Sequence, residues 1–302
     1  MSEARVGVVL MAYGSPRTPA ELLPYYTDIR RGNPPSDEQL ANLAARYEAI
    51  GGMSPLAERT EAQRAALQAA LDRTAAGRYH VVLGFKHASP TIEQAVGELA
   101  AVGHSHLVGL VLAPHYSAFS VGQYLDRLAA AAAARCIGVS SIESWATEPA
   151  FIEFIAADVR ARLGGMPTDT RVLFTAHSLP QRILATGDPY PAEVLATATC
   201  VADALGLDNW GLAWQSAGRT PDPWLEPNIL QVIDELGSDG RTRAVLVSAV
   251  GFVADHLEVL YDLDIEAADR AKGCGLAFAR TACVNDDAAV MSALADRVID
   301  AS

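Results

Sequence analysis

Three carboxylates at four-residue spacing are the first sign of chemistry in this chain. In the stretch Val250-Gly251-Phe252-Val253-Ala254-Asp255-His256-Leu257-Glu258-Val259-Leu260-Tyr261-Asp262, continuing to Glu266, the acids Glu258, Asp262 and Glu266 fall at i, i+4 and i+8. At 3.6 residues per turn each step rotates about 400°, so on a helix they would form a slowly drifting stripe along one face. Like charges at that spacing repel by a few tenths of a kcal/mol per pair, and a divalent cation passing along the stripe would relieve the repulsion. The other reading is a solvated helix face, with Leu257, Leu260 and Tyr261 turned to the core. The stripe begins just after an apolar run, Ala244 to Val250, that reads as a buried strand. His177 ends another such run, and an imidazole paired with the Glu258 carboxylate suits Fe(II) or Zn(II) while placing a proton acceptor beside the metal. Ser178, next to His177, invites a hydrolase reading, but neighbours on an extended loop point apart and no Gly-x-Ser-x-Gly elbow exists.

The elements that must hold these groups alternate strictly. Val6 to Ala12 is a continuous apolar run of the kind buried on both faces. Thr18-Pro19-Ala20-Glu21 has the pattern of a capping box opening a helix, and Ser36 with Gln39 opens another that runs to Ile50 and stops at Gly51-Gly52. A third helix is expected from Thr60 to Ala75, followed by strands and helices in turn to a last helix at Asp287–Ile299. One helix is expected from Asp255 to Ala268. Alternation of this kind gives parallel sheets with helices on both faces, in one sheet, a barrel, or two four-stranded units. A weak internal repeat favours two units: Val8-Val9-Leu10-Met11-Ala12-Tyr13-Gly14-Ser15-Pro16 is similar to Val172-Leu173-Phe174-Thr175-Ala176-His177-Ser178-Leu179-Pro180. Tyr13 and His177 then occupy equivalent strand ends, and they would look across one cleft if the halves face each other. The expected domains are residues 1–137 plus 283–302, and residues 138–282.

Ligands of open α/β sheets bind beyond the carboxyl ends of the strands. Those ends carry Tyr13, Lys86, His87, Pro114, His115, Tyr116, Glu143, Trp145, His177, Ser178, Gln215, Ser216, Gly251 and Phe252. No Gly-x-Gly-x-x-Gly or Walker loop is among them, so no nucleotide cofactor is expected. The loop at 218–225 is too rich in Pro for helix or strand and reads as a rigid structural loop, with Trp224 as a candidate pocket wall.

Composition narrows the setting. The 302 residues carry a net charge of −13, which argues against nucleic acid and anionic membrane surfaces. No apolar run approaches about 20 residues, so no membrane span is expected, and Met1-Ser2-Glu3-Ala4-Arg5 lacks the apolar region of a signal peptide, so the expected place is the cytoplasm. Residues 1–60 hold six Arg against seven Asp and Glu, which marks Arg30, Arg31 and Arg46 as candidate anion contacts. Cys136, Cys200, Cys274 and Cys283 contain no Cys-x-x-Cys pair and read as reduced thiols; an iron–sulfur cluster, which needs four convergent thiolates, is the alternative that spacing leaves open.

Six motifs, in order, carry a resemblance. Met11-Ala12-Tyr13-Gly14-Ser15-Pro16, Tyr25-Tyr26-Thr27-Asp28-Ile29-Arg30-Arg31-Gly32, Arg46-Tyr47-Glu48-Ala49-Ile50-Gly51-Gly52-Met53-Ser54-Pro55-Leu56, Thr175-Ala176-His177-Ser178-Leu179-Pro180, Trp214-Gln215-Ser216 and Gly251-Phe252 through Asp262 resemble the ferrochelatase family, nearest its soluble coproporphyrin branch. The resemblance implies two Rossmann-like domains, each a four-stranded parallel sheet flanked by helices, around a porphyrin cleft, with the C-terminal helix returning to the first. It implies insertion of Fe(II), the substrate metal, into coproporphyrin III to form coproheme in haem biosynthesis. Carried over by position, His177 and Glu258 would bind iron and accept pyrrole protons, and Tyr13 would lie on the opposite ring face. Arg30, Arg31, Arg46, Tyr47, Ser54, Lys86 and Tyr124 would contact the propionates, and Asp262, Glu266 and His87 would form an outer metal path. The cysteines do not match the family's C-terminal cluster pattern, although Cys274 and Cys283 lie in that region, so a [2Fe-2S] cluster is not expected. No long apolar insertion stands between Gly51 and Ala70, which favours a soluble enzyme and the four-carboxylate substrate over protoporphyrin IX. A monomer is expected, whose protein partners would be downstream enzymes of haem synthesis. The alternatives are a protoporphyrin ferrochelatase, a non-catalytic porphyrin or haem carrier, which would need Tyr13 but no acidic ramp, and a cobalt or nickel chelatase for a reduced tetrapyrrole, which would not require the Tyr13 and Arg30 motifs.

Overall fold

The computed structural model describes residues 5–218 and 222–302; residues 1–4 and, within the 218–225 loop, Arg219, Thr220 and Pro221 lie outside the described residues. The apolar runs become central strands. Strand β1 (Val6–Ala12) is buried along its whole length because it has a parallel neighbour on each edge. Those neighbours are β2 (Tyr79–Phe85) and β3 (His106–Val111), and β4 (Gly138–Ile142) closes the sheet in the order 2-1-3-4. Around it run α1 (Leu22–Ile29), α2 (Asp37–Ala49), α3 (Leu56–Ala75), α4 (Ile92–Ala101) and α5 (Val121–Ala133). The reciprocal bonds of Ser36 with Gln39 start α2, and those of Thr91 with Gln94 start α4. The expected box at Thr18 does not form. Residues Pro19–Glu21 make a 3₁₀ turn, Thr18 caps nothing with its side chain, and Glu21 accepts instead from the backbone N–H of Arg17 at 2.7 Å.

The second sheet repeats the first. Its central strand β5 (Thr170–His177) lies between β6 (Trp210–Gln215) and β7 (Ala244–Ser248), and β8 (Ala277–Arg280) lies on the edge, in the order 6-5-7-8. Strands β1 and β5 therefore hold the same place in sheets of the same order. The helices here are α6 (Pro149–Leu163), the short α7 (Arg182–Ala185), α8 (Tyr190–Leu205) and α9 (Ile229–Ser238).

The single helix expected from Asp255 to Ala268 is broken. One α-turn, α10 (Leu257–Leu260), passes into a π-helical segment, Asp262–Ala267, and then into α11 (Ala268–Gly273). The Tyr261 carbonyl accepts both Ile265 N–H at 3.3 Å and Glu266 N–H at 3.0 Å, which is the switch from i+4 to i+5 bonding. Of the expected core face Leu257, Leu260 and Tyr261, Leu257 alone is buried. Val259, Leu263, Ala267 and Ala271 enter the core against Ile229, Ile233, Val245 and Val247, while Leu260 and Tyr261 stay half-exposed.

The chain divides into two compact units, one of residues up to Ala113, Ser120–Ser144 and Asn285–Ser302, the other of Pro114–Phe119 and Trp145–Val284. The chain enters the second unit briefly at Pro114–Phe119 and passes into it for good at Trp145, seven residues after the expected start at 138, because β4 pairs with β3 from His106↔Gly138 to Leu110↔Ile142. That short strand, with two serines, has no apolar run to announce its sheet. The last helix, α12 (Ala288–Asp300), belongs to the first unit, where it packs on α3 and Tyr79 Oη lies 3.0 Å from Ser302 Oγ. Among the described residues no helix is long and apolar enough to cross a membrane.

Close approach fixes one glycine. The N–H of Gly251 donates to the Thr175 carbonyl at 3.0 Å, and a Cβ there would lie 2.5 Å from Ala176 Cβ and 2.7 Å from Ala176 Cα. The obstacle is partly backbone, so Gly251→Ala is expected to cost about 3 kcal/mol, the upper end for overpacking, measured as a lower denaturation midpoint in urea.

Candidate active site

In the second unit the ends of three strands bring the chemistry together. His177 closes β5, and Tyr190 Oη donates to its main-chain carbonyl at 2.9 Å. Tyr190 is buried, and burial, reinforced by the charges of Glu258 and Asp188, pushes its phenol up, so the hydroxyl stays a donor. His177 Nδ1–H donates to the Ser178 carbonyl, which leaves Nε2 as the basic nitrogen of the neutral ring. That Nε2 lies 3.8 Å from Glu258 Oε2, and about a third of each side chain is exposed (33% and 35%), so both can meet a ligand.

Glu258 has a second imidazole beside it. His256 Nε2 lies 3.6 Å from the same Oε2, and His256 Nδ1–H donates to Ala254 O at 2.9 Å. Two basic nitrogens thus face one carboxylate oxygen, an arrangement favoured by a proton or a cation among them. His256 is absent from the expected site residues, although it stands two positions before Glu258 at the exit of β7, a signal that could have marked it. Phe252 stacks at 4.9 Å on His256 and at 6.4 Å from His177, and Trp224 lies 6.4 Å from His177, giving the imidazoles aromatic walls. Gly218 admits the Trp224 ring, since a Cβ there would meet it at 2.4 Å.

The end of β6 holds the acidic segment from below. Buried Gln215 donates through Nε2 to the Glu258 carbonyl at 3.2 Å while its Oε1 accepts from Thr175 Oγ1 at 2.9 Å. Ser216 Oγ donates to Asp262 Oδ2, and Asp262 is buried. Glu266 lines a separate surface hollow with Tyr261, Asp234 and Asp269. Among the described residues no three His, Cys, Asp or Glu side chains form a group able to hold a metal ion. Ser178 is buried and donates to Leu225 O at 3.0 Å, a structural bond. His115 at another strand end is structural too: burial pushes its pKa down to about 3, and Nε2 lies 2.8 Å from Thr197 Oγ1.

In the first unit Tyr13, just past β1, is the more exposed aromatic (40%). Its ring lies 4.6 Å from His87, whose Nδ1 is 2.6 Å from Asp28 Oδ2. Burial lowers the His87 pKa, and the Asp28 hydrogen bond opposes that only in part. Lys86 Nζ donates to Gln123 Oε1 at 2.6 Å and lies 5.0 Å over the ring of buried Tyr124. Burial first, then the charges of Arg127 and Arg31, bring the Lys86 pKa down to about 8. Arg127 donates to the Lys86 carbonyl at 2.7 Å and grips Glu93 with two bonds of 2.8 Å. The Arg30 guanidinium lies 5.7 Å over Tyr26, and Arg31 has a left-handed backbone (φ 57°). Arg46 is in the last turn of α2 beside buried Tyr47, and Ser54 Oγ accepts from Leu56 N–H at 3.2 Å at the start of α3. The expected residues are therefore gathered as Tyr13 with His87 and Lys86 with Tyr124, while Arg30, Arg46 and Ser54 lie on separate elements of that unit.

Known proteins now supply the family. A family model described as ferrochelatase matches residues 5–302. A ferrochelatase of Herpetosiphon aurantiacus is 42% identical over 297 residues, covering 96% of this chain and 97% of that protein. The coproporphyrin III ferrochelatase of Geobacillus kaustophilus is 40% identical over 307 residues, with 99% and 96% covered, and that of Oceanobacillus iheyensis is 43% identical over 271, with 88% and 87% covered. Among solved structures, SirB from Bacillus subtilis with Fe3+ matches with a TM-score of 0.63 at 12% identity, covering 98% of this chain and 95% of that one. CbiX, the terminal enzyme of siroheme biosynthesis in denitrifying bacteria, matches at 0.56 and 15%, with 99% of each chain covered; at such identities the likeness is one of fold. Matched along nearly its whole length by the family model and by relatives above 40% identity, the chain belongs to the ferrochelatase family, the enzymes that chelate iron into a porphyrin.

Proposed function

We propose that this ferrochelatase inserts Fe(II) into coproporphyrin III, acting as a cytoplasmic monomer. The relatives named for that substrate support it, and so does the supply of cations in the first unit for a ring with four propionates. The observation that carries the mechanism is the His177–Glu258 pair, with Nδ1 of the imidazole committed to a carbonyl and Nε2 turned to the carboxylate. A porphyrin must lose two N–H protons as iron enters. His177 Nε2 accepts the pyrrole protons one at a time, passing the first to solvent through its exposed side before it takes the second, and Glu258 displaces water from the arriving ion. Tyr13 is assigned to the opposite face of the ring, and Arg30, Arg31, Arg46, Tyr47, Ser54, Lys86 and Tyr124 to its carboxylates. Asp262, Glu266 and His87 are assigned to the outer route of the metal.

The test is anaerobic mixing of protein, Fe(II) and porphyrin while following the Soret band. Metallation of coproporphyrin III with a kcat/KM well above that for protoporphyrin IX supports the reading. A reversed preference assigns the apolar substrate, and a band shift without metallation means a carrier.

Lys86 adds a pH dependence. Its pKa of about 8 means that the free enzyme loses this cation near pH 8, well below the ordinary 10.5. The Kd for coproporphyrin is therefore expected to rise between pH 7 and 9, and Lys86→Arg, which keeps its charge, is expected to flatten that rise; fluorescence quenching of the porphyrin reads it. Stability moves the opposite way. The unfolded chain binds this proton more tightly than the folded one, so Lys86 contributes more to stability as pH climbs from about 8 to 10.5.

A further inference from the structure

We propose that Arg280, the last residue of β8, is a positioning residue that clamps both ends of the segment carrying His256, Glu258 and Asp262. Its Nη2 donates to Asp255 Oδ1 at 3.2 Å, and its Nε and Nη2 donate to Asp264 Oδ1 and Oδ2 at 2.6 and 2.9 Å. Nη1 donates to the Thr281 carbonyl at 3.0 Å, which fixes the guanidinium against its own strand end. Asp255 immediately precedes His256, and Asp264 lies inside the π-helical segment. One planar fork therefore ties the start of the broken helix to its middle, across the residues that face His177. Lysine could not do this, because an ammonium is a point charge without the fixed fork that meets two carboxylates at once.

The burial is suited to that task. The Arg280 and Asp255 side chains are 16% and 18% exposed, so their attraction is less screened than that of a surface pair, and Asp264 is 40% exposed. Without the guanidinium, Asp255 and Asp264 would keep their charges but lose the cation between them, and their repulsion would spread the segment that sets the 3.6 and 3.8 Å separations around Glu258. Gln215 would still hold the Glu258 carbonyl, so the loss is one of aim and not of fold. Arg280, Asp255 and Asp264 also line a surface hollow of about 530 Å³, so a small cation can reach the place that the side chain fills.

This inference rests on the reading of Glu258 as the group that receives iron. In Arg280→Ala the KM for Fe(II) is expected to rise about ten-fold, in the range of lost outer-shell support, while the coproporphyrin Kd stays within about two-fold. Arg280→Lys should recover only part of the loss, and guanidinium at tens of millimolar should restore Arg280→Ala whereas urea should not. An unchanged iron KM, or iron and porphyrin affinities falling together, would overturn the clamp. If Arg280→Ala is insoluble, Asp264→Asn removes the two-bond arm and is expected to raise the iron KM in the same way; an unchanged KM there counts equally against it. Should the wild-type protein not metallate coproporphyrin, the proposed function fails, and the clamp is judged on imidazole NMR alone. The variant should move the His256 and His177 ring resonances and leave those of His115 in place; unmoved His256 and His177 signals would sink it.

Discussion

Replacing His177 with alanine is expected to abolish iron insertion, a fall in kcat of at least about 1,000-fold, while coproporphyrin III still binds. The size reflects removal of a positioned proton acceptor, worth two to four decades, that also stands 3.8 Å from the Glu258 carboxylate. The fold is expected to survive because the structural bonds at this position use the main chain. Tyr190 Oη donates to the His177 carbonyl, and Ser178 N–H donates to the Gln215 carbonyl at 2.7 Å; alanine keeps both. The imidazole is a third exposed and borders Trp224 and Phe252 at 6.4 Å, so its loss opens space toward solvent and not a core cavity. Stopped-flow metallation together with porphyrin fluorescence quenching checks both halves. Retained turnover would remove His177 from the chemistry, and loss of porphyrin binding with a lowered melting temperature would make it structural.

Much of this arrangement is legible in the sequence. The apolar run at Val6–Ala12 reads as a strand buried on both faces and Arg171–Ala176 as a second strand, and the shared Ala-aromatic-or-imidazole-small-Pro pattern at their exits puts Tyr13 and His177 at matching strand ends. Ser36 with Gln39 forms its box because both partners are free to reciprocate. Thr18 with Glu21 carries the same pattern, yet Glu21 turns to the N–H one residue earlier, and nothing in the spacing distinguishes the two outcomes.

The acidic segment shows where reading by period stops. A 3.6-residue repeat assumes constant pitch, whereas the Tyr261 carbonyl accepts from both Ile265 and Glu266 and widens the turn after it. Asp262 is thereby turned inward to Ser216, and Val259, Leu263 and Ala267 take the core face. Long-range partners are equally invisible: Gln215 reaches Glu258 from 43 residues away, and Arg280 reaches back 25 to Asp255. Such contacts depend on which strands are neighbours. The edge positions of β4 and β8 are the parts of the topology with the weakest apolar signal, GVSSI and AFAR.

Glu258→Gln is expected to separate metal delivery from ring binding. The substitution keeps the shape of the side chain and the carbonyl bond from Gln215, and removes only the charge. An amide can still donate to either imidazole Nε2, but it attracts a hydrated dication far less than a carboxylate does and gives it a poorer ligand. The kcat/KM for Fe(II) is expected to fall by about 100-fold or more, with the coproporphyrin Kd unchanged. The same experiment on His256→Ala gives the scale for its neighbour. That imidazole lies 3.6 Å from the same carboxylate oxygen but is carried by the same segment as Glu258, and its removal is expected to cost about ten-fold through loss of support to the carboxylate. The order Glu258→Gln far below His256→Ala, both with porphyrin affinity intact, is what a carboxylate that receives iron between two imidazoles must give. Equal effects would make the three groups a single structural cluster, and a wild-type rate in Glu258→Gln would take the carboxylate out of the reaction.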